Sequence, residues 1–527
     1  MEAPTTRRTL LAAGLTAGAL PLLPRWAEAA GLKTGEPAPF SLDILKDMAA
    51  TLAGQPYGPE AVPQDDILES LDYDRHNQIT FRSDAMLWGD VPGAAKVRFF
   101  HPGRYFKAPV QISVLEDGTA REILFSRDLF DMPKDNPAAR LENAGFAGFA
   151  VMDPDGKNDW MAVLGASYFR TSGYSGQFGM SARGLAIDSG GPGAEEFPRF
   201  TRFWLEEAPE GGIVIYALLE SPRATGAYRM ATAHKNGVFQ DIEAALFLRG
   251  QAIDRLGIAP LTSMFWYGKN NHFVGPDWRP EIHDSDGLEM QLASGERIWR
   301  PLNNPPRVMV NSFRADGLRG FGLAQRERSF EQFQDDGVFY EKRATCWITP
   351  EGDWGLGSVM LVELSTNDEI HDNISAFWNP AEPAVPGKRY DLRYKLDWVR
   401  DSPPQTVARF IATRVGAGGV PGQPRPANVV KFVCDLDGKG LADLDRSSGV
   451  EAVVSASRGK LDLIYAFPIA TTDRWRVTFD LDVGAQGQGD EPIDLRMFLQ
   501  HEGQAMSETW IYQVFPSQMH ALLAEHA

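Results

Sequence analysis

Period-two alternation of apolar and polar residues constrains this chain more than any other feature. Leu392, Tyr394, Leu396 and Trp398 alternate with Arg393, Lys395 and Asp397. Trp475, Val477, Phe479, Leu481 and Val483 repeat the pattern, and so do Ile493, Leu495, Met497 and Leu499. Side chains two apart share one face of a strand, so each run reads as a strand with one face buried. Val110, Ile112 and Val114 alternate ahead of Asp117-Gly118, a tight-turn dipeptide, which predicts a hairpin returning over residues 122–125. Residues 79–81, 213–219, 296–300, 307–313 and 429–434 read as further strands. Helical periodicity is scarce. The clearest case is Leu42, Leu45, Met48, Ala49 and Leu52 between Ser41 as cap and Gly54 as stop. That helix is expected to cover a sheet edge, and residues 518–525 add a helical turn or two at the end. No strand–helix alternation of the doubly wound kind is present, so the expected class is all-β.

A chain of 527 residues exceeds one ordinary core, so at least two domains are expected. Asp401-Ser402-Pro403-Pro404 is the best boundary, because a proline pair stiffens the chain and breaks a ladder. The division is therefore a large strand-rich N-terminal domain over 30–400, a linker over 401–407 and a C-terminal domain over 408–527. The length and strand count of the last suit an immunoglobulin-like sandwich, although no Cys–Trp–Cys core spacing supports it.

Residues 1–29 read as a leader. Thr6-Arg7-Arg8-Thr9-Leu10-Leu11 is a twin-arginine pattern, an apolar stretch follows over 10–23, and Ala27-Glu28-Ala29 is a small-x-small cleavage signal. The apolar stretch is short and rich in small residues, whereas a membrane span needs about 20 residues. A retained signal anchor is the other reading. Twin-arginine export of a folded protein to a bacterial periplasm is the expected destination. The net charge of -18 excludes a basic nucleic-acid footprint. Two cysteines, Cys346 and Cys434, exclude a disulfide framework and are expected as two separate buried thiols. Phosphate-loop, nucleophile-elbow and zincin motifs are absent, and no cofactor is called for.

Two acidic clusters carry the candidate chemistry. The first, Glu281-Ile282-His283-Asp284-Ser285-Asp286-Gly287, lies between Trp278 and Trp299. It reads as a solvated turn, as a carboxylate at a sugar site, or as an oxygen-rich Ca²⁺ loop using His283, Asp284 and Asp286. The second, Asp368-Glu369-Ile370-His371-Asp372-Asn373, switches at once to Ile374, Phe377 and Trp378. A carboxyl crowded by apolar groups and like charge keeps its proton and can serve as a general acid. Glycoside hydrolysis needs two carboxyls flanking the scissile bond, which makes the clusters more telling together than apart. Tyr340 reads as a buried-strand tyrosine whose hydroxyl could hold a proton near the site. Tyr168, Arg183, Trp266, Trp278, His283 and Asp286 are the candidates for sugar contact, each with a structural role as its ordinary alternative.

Longer stretches carry a resemblance. They include Gly165-Ala166-Ser167-Tyr168-Phe169-Arg170, Ser181-Ala182-Arg183-Gly184, Arg279-Pro280-Glu281-Ile282-His283-Asp284-Ser285-Asp286-Gly287-Leu288, Arg300-Pro301-Leu302-Asn303-Asn304-Pro305 and Asp372-Asn373-Ile374. Through them the chain resembles the periplasmic glucan biosynthesis proteins of the OpgG/OpgD (MdoG/MdoD) family. The resemblance implies a galactose mutarotase-like β-sandwich followed by an immunoglobulin-like domain. It also implies action on β-1,2-glucan in osmoregulated periplasmic glucan biosynthesis, beside the membrane glucan-synthesis machinery. Family members are similar to inverting endo-β-1,2-glucanases. That pattern puts the general acid on Asp372 and the general base on Asp284, through a relay if needed, with Glu369 and Tyr340 as neighbours. One branch resembles transglycosylases that close a ring through an α-1,6 link, and a non-catalytic glucan-binding scaffold would keep many of the same residues.

Overall fold

The computed structural model describes residues 31–524, apart from 60, 61, 63, 439 and 488. The leader read at 1–29 lies outside the described residues. The alternating runs form strands where expected. Arg389–Val399 turns Leu392, Tyr394, Leu396 and Trp398 into the core, while Arg393 and Lys395 face out. Trp475–Asp482 and Ile493–His501 bury one face each in the same way. The class is all-β.

Local chemistry corrects two details. Asp117 (φ 48°) and Gly118 (φ 73°) form a two-residue left-handed turn, which pairs Glu116 directly with Thr119. The returning strand is therefore Thr119–Glu122 and ends where residues 122–125 were expected to begin one. The helix Leu42–Ala53 has the predicted cap, with Ser41 Oγ accepting from the Ile44 amide at 3.2 Å. It lies on a sheet face rather than an edge. Leu45 and Ala49 pack with Leu218, Ala227 and Trp204, on strands in the interior of a sheet.

Two large sheets share one core. The first runs Thr119–Glu122, Gln111–Glu116, Arg199–Ala208, Gly212–Glu220, Ala224–His234, Val238–Leu248, Arg389–Val399, Thr345–Glu351, Leu318–Ala324, Gly287–Leu292 and Arg297–Pro301. The second is ten-stranded, and its middle order is Leu356–Glu363, Ile374–Pro380, Leu256–Ser263, Ser181–Arg183, Tyr168–Thr171 and Asp159–Leu164. Tyr228, Leu246 and Leu396 from the first sheet meet Ile258, Leu261 and Trp378 from the second.

Beyond residue 408 a separate four-stranded sheet, Arg409–Ala417, Val429–Asp437, Trp475–Asp482 and Lys460–Pro468, shares a core with Ile493–His501 and Thr509–Val514. Those last two strands extend the first large sheet. Ile298 and Trp299 pair in parallel with Thr509 and Trp510. The proline pair is anchored as well, since the Arg297 guanidinium donates to the Pro403 and Pro404 carbonyls, each at 3.1 Å. Cys346 and Cys434 are free, buried and in different cores. Among the described residues, no helix is long and apolar enough to cross a membrane.

Candidate active site

The two acidic clusters meet at one end of the ten-stranded sheet. The loop 364–373 joins the neighbouring strands Leu356–Glu363 and Ile374–Pro380. Asn373 locks its base. The Asn373 amide donates to the Phe265 and Leu364 carbonyls at 2.9 Å each, and its Oδ1 accepts from the Phe265 amide at 2.8 Å. Phe265 pairs with His283 across a short two-stranded ladder, so the same residue ties the second cluster to the first.

Neighbours in a strand point to opposite faces, and His283 and Asp284 part accordingly. Asp284 is 6 % exposed. The Arg343 Nε lies 3.4 Å from its Oδ1, yet neither atom makes a hydrogen bond. Burial raises its pKa to about 6, Arg343 works in the opposite direction, and the charge of Asp372 adds to the rise. Asp372 has an exposed side chain, but it sits against protein on the wall of a groove, and that partial desolvation raises its pKa against the pull of Arg170, Arg183 and Arg343. The repulsion between the two carboxyls is expressed on Asp284, the one shut away from water.

Gly179 lies beside the buried carboxyl. It lines the same groove as Asp372. A Cβ on Gly179 would come within 2.7 Å of Arg343 Cδ and 3.2 Å of Asp284 Oδ1. Only a residue without a side chain leaves the buried carboxyl behind a thin wall.

The groove has a volume of about 740 Å³ and extends from Asp372 past Tyr168, Arg170 and Phe178 to Tyr105 and Tyr73. Tyr73 and Tyr105 are 69 % and 67 % exposed, so their rings are open for stacking. Arg183 is buried behind Tyr168, its guanidinium 4.8 Å from that ring and 2.5 Å from Glu195 Oε1. It supports the Tyr168 ring and adds positive charge near Asp372.

Glu369 and Tyr340 belong together on the other flank. The Tyr340 hydroxyl donates to Glu369 Oε2 at 2.6 Å. Burial raises the Tyr340 pKa, and so do the hydrogen bond to Glu369 and the nearby charge of Asp284, so the phenol keeps its proton. Tyr340 sits in the single turn Tyr340–Lys342, not in a strand, because Phe339 takes a left-handed conformation (φ 50°) and breaks extension there. Arg279 grips both Glu369 oxygens at 3.0 Å and also binds Asp277 and Asp335. Three loops are thereby pinned to one guanidinium.

The other expected sugar contacts part ways. Trp278 is 73 % exposed on the flank held by Arg279. Trp266 is buried with Tyr267, Phe333 and Tyr340 and supports the tyrosine from behind. His283, 1 % exposed, and Asp286 line a small cavity of about 40 Å³ with Glu281, Lys269 and Glu327, and the His283 ring is too buried to meet a sugar. The cation-capable set is Glu281, His283 and Asp286, with Asp284 turned away from it. The Lys269 ammonium already lies 3.2 Å from Glu281 Oε1. His371, the most conspicuous residue of its cluster in the sequence, is simply exposed.

Arg343, Gly179, Arg279 and Asn373 had no role assigned from sequence. A glycine that must be bare and an arginine shared by three loops carry no local mark; only the fold brings their partners together.

The family described as "Periplasmic glucan biosynthesis protein, MdoG" matches residues 40–514. The chain belongs to that family. It is similar to "Glucans biosynthesis protein D 2" of Ralstonia nicotianae, 47 % identical over 533 aligned positions that cover 97 % of this chain and 98 % of the relative. It is also similar to "Glucans biosynthesis protein D" of Xanthomonas oryzae pv. oryzae, 44 % identical over 97 % of this chain and 98 % of the relative. The protein of the same name from Stenotrophomonas maltophilia is 44 % identical over 95 % of this chain and 96 % of its own length.

Proposed function

We propose that this protein is a periplasmic enzyme of glucan biosynthesis that cleaves or rearranges β-1,2-glucan with inversion, Asp372 acting as general acid and Asp284 as general base. The observation that carries this reading is the pair itself: a buried carboxyl without a hydrogen-bond partner on Oδ1, set beside Gly179 and Arg343 at the wall of a groove that Asp372 lines. A buried carboxylate oxygen left without a hydrogen bond is costly, and such groups cluster where chemistry uses them.

A glucan lying in the groove on Tyr168 and Tyr105 covers Asp372 and excludes water from it. That raises the Asp372 pKa further and lets it hold the proton it donates to the glycosidic oxygen. As positive charge develops on the anomeric carbon, an acceptor attacks the opposite face. Asp284 takes the acceptor's proton, directly or through a water where the distance requires a relay. Inversion needs room between the carboxyls, about 6.5–9.5 Å or more with a relay. The acceptor is water in a hydrolase and a sugar hydroxyl in a cyclising transglycosylase, and the same carboxyls serve either.

Incubation of the mature protein with linear β-1,2-glucan, with the new anomeric signals followed by NMR, tests the reading. Shorter chains released first as the α anomer identify an inverting hydrolase, and rings closed through an α-1,6 link identify the cyclase. Binding with no new product would leave only a scaffold and sink the proposal. Asp372→Asn should abolish turnover and keep glucan affinity within about threefold, because the amide preserves shape and loses only the transferable proton.

A further inference from the structure

The small cavity lined by Glu281 and Asp286 holds a histidine whose two ring nitrogens are both accounted for. The Gln325 side-chain amide donates its Nε2 proton to the Tyr340 carbonyl at 3.1 Å. A flipped amide would set two oxygens against each other, so the orientation is determined. Gln325 Oε1 therefore faces His283 Nδ1, at 3.1 Å, and Nδ1 must carry a proton. The other nitrogen, Nε2, faces Glu281 Oε2 at 3.2 Å and Asp286 Oδ1 at 3.4 Å. A lone pair there would confront two carboxylates inside the protein; a second proton turns that repulsion into two charge-assisted contacts.

The rest of the cluster agrees. Glu281, Asp286 and Glu327 supply three carboxylates, Lys269 supplies one ammonium, and the Arg326 guanidinium is already engaged by Glu289 and Glu508. Asp286 Oδ2 is also held by the Arg326 and Glu327 amides. The ring itself is clamped by Phe265, stacked at 5.4 Å, and by the edge of Phe333 at 5.0 Å.

We propose that His283 is a positioning residue: a buried imidazolium that, through Gln325, holds the backbone of Tyr340 and thereby sets the Tyr340–Glu369 hydrogen bond beside the reacting carboxyls. The path is short and continuous, from Glu281 and Asp286 to His283, to Gln325, to the Tyr340 carbonyl, with the Tyr340 hydroxyl on Glu369 at its end. Burial opposes the charge on His283, but Asp286 and Glu281 outweigh it and leave the pKa above the ordinary 6.5. The catalytic meaning of Tyr340 and Glu369 rests on the glucan reading above; the charge state and the coupling to Tyr340 do not.

Selective ¹⁵N labelling of the nine histidines of the full chain tests it, with the His283 signals identified by their loss in His283→Asn. Both His283 nitrogens should show protonated shifts at pH 7, where an ordinary histidine is mostly neutral. In a crystal structure of Gln325→Leu, the Tyr340 turn should shift and the Tyr340 hydroxyl should leave Glu369. In turnover, Gln325→Leu should lower kcat about 10- to 100-fold with KM within about twofold. A singly protonated His283 at pH 7 would overturn the proposal, as would His283 signals that move when EDTA is added, which would assign the cluster to a divalent cation. An unmoved Tyr340 in Gln325→Leu would overturn the coupling. Absence of any glucan turnover in the wild type would instead sink the functional reading and leave the spectroscopic and crystallographic results standing.

Discussion

Asp284 costs the fold what it offers the site. Its pKa rises from 3.8 to about 6, so the native protein holds that proton more tightly than the unfolded chain does. Stability from this group is then present at low pH and is lost as pH rises from about 4 through 6. The shift of about two pH units corresponds to roughly 3 kcal/mol above pH 6. Asp284→Asn should accordingly raise stability against urea by up to that amount at pH 7.5 and change it little at pH 4. The same variant should lack the wild-type rise in rate with pH through about 6, because only the ionised form accepts a proton. A stability gain that does not depend on pH would contradict this account. Gly179 makes the complementary case. Gly179→Ala drives a methyl against Arg343 and Asp284 Oδ1. It should cost about 100-fold in kcat while the far-ultraviolet circular dichroism stays unchanged, since small displacements at a reacting group are expensive. Wild-type kcat in that variant would show that Asp284 is not poised against the wall.

At the level of elements, the site depends on how a loop is tied down between strands. The segment 364–373 has no secondary structure of its own that could hold Asp372 and Glu369 in place. Asn373 fastens one end to Phe265 and Leu364, and Arg279 fastens the middle through Glu369. Asn373→Ala would leave a buried amide and two carbonyls short of a partner, at about 1–3 kcal/mol for a buried orphan. A loss of about 3 kcal/mol measured by urea unfolding, with a fall in kcat, is expected. Full stability in that variant would show that water replaces the clamp without penalty.

Across the molecule, the seam at residues 401–408 separates stretches of chain but not sheets. Trp299 pairs beside Trp510, and both belong to the C-terminal core. Arg326 stacks 3.6 Å over Trp299 and pairs with Glu508, whose carboxylate also receives the Phe410 amide. Arg300 and Glu363 form a fully buried pair, with Gln513 from the C-terminal side at its edge. Parting the seam breaks the Arg326–Glu508 pair and the ladder between Arg297–Pro301 and Thr509–Val514, and it exposes the core that Trp299 and Trp510 share. Calorimetry should therefore show one unfolding transition for the whole described chain. Two resolved transitions would mean that the seam opens first.

Alternation of apolar and polar residues was enough to establish the all-β class and the strand Arg389–Val399, since burial of one strand face is written in residues two apart. Ser41 and Asp117-Gly118 announced their cap and turn because both act within a few residues. Longer motifs, read as a family resemblance, singled out Asp372, Asp284, Glu369 and Tyr340. What no local pattern could decide was the company each would keep. The parting of His283 from Asp284, the bare wall at Gly179, the reach of Arg279 to three loops and the sheet running on through Trp299 and Trp510 depend on residues tens to hundreds of positions apart. Charge and packing act through space, so those contacts came into being only when the tertiary structure closed.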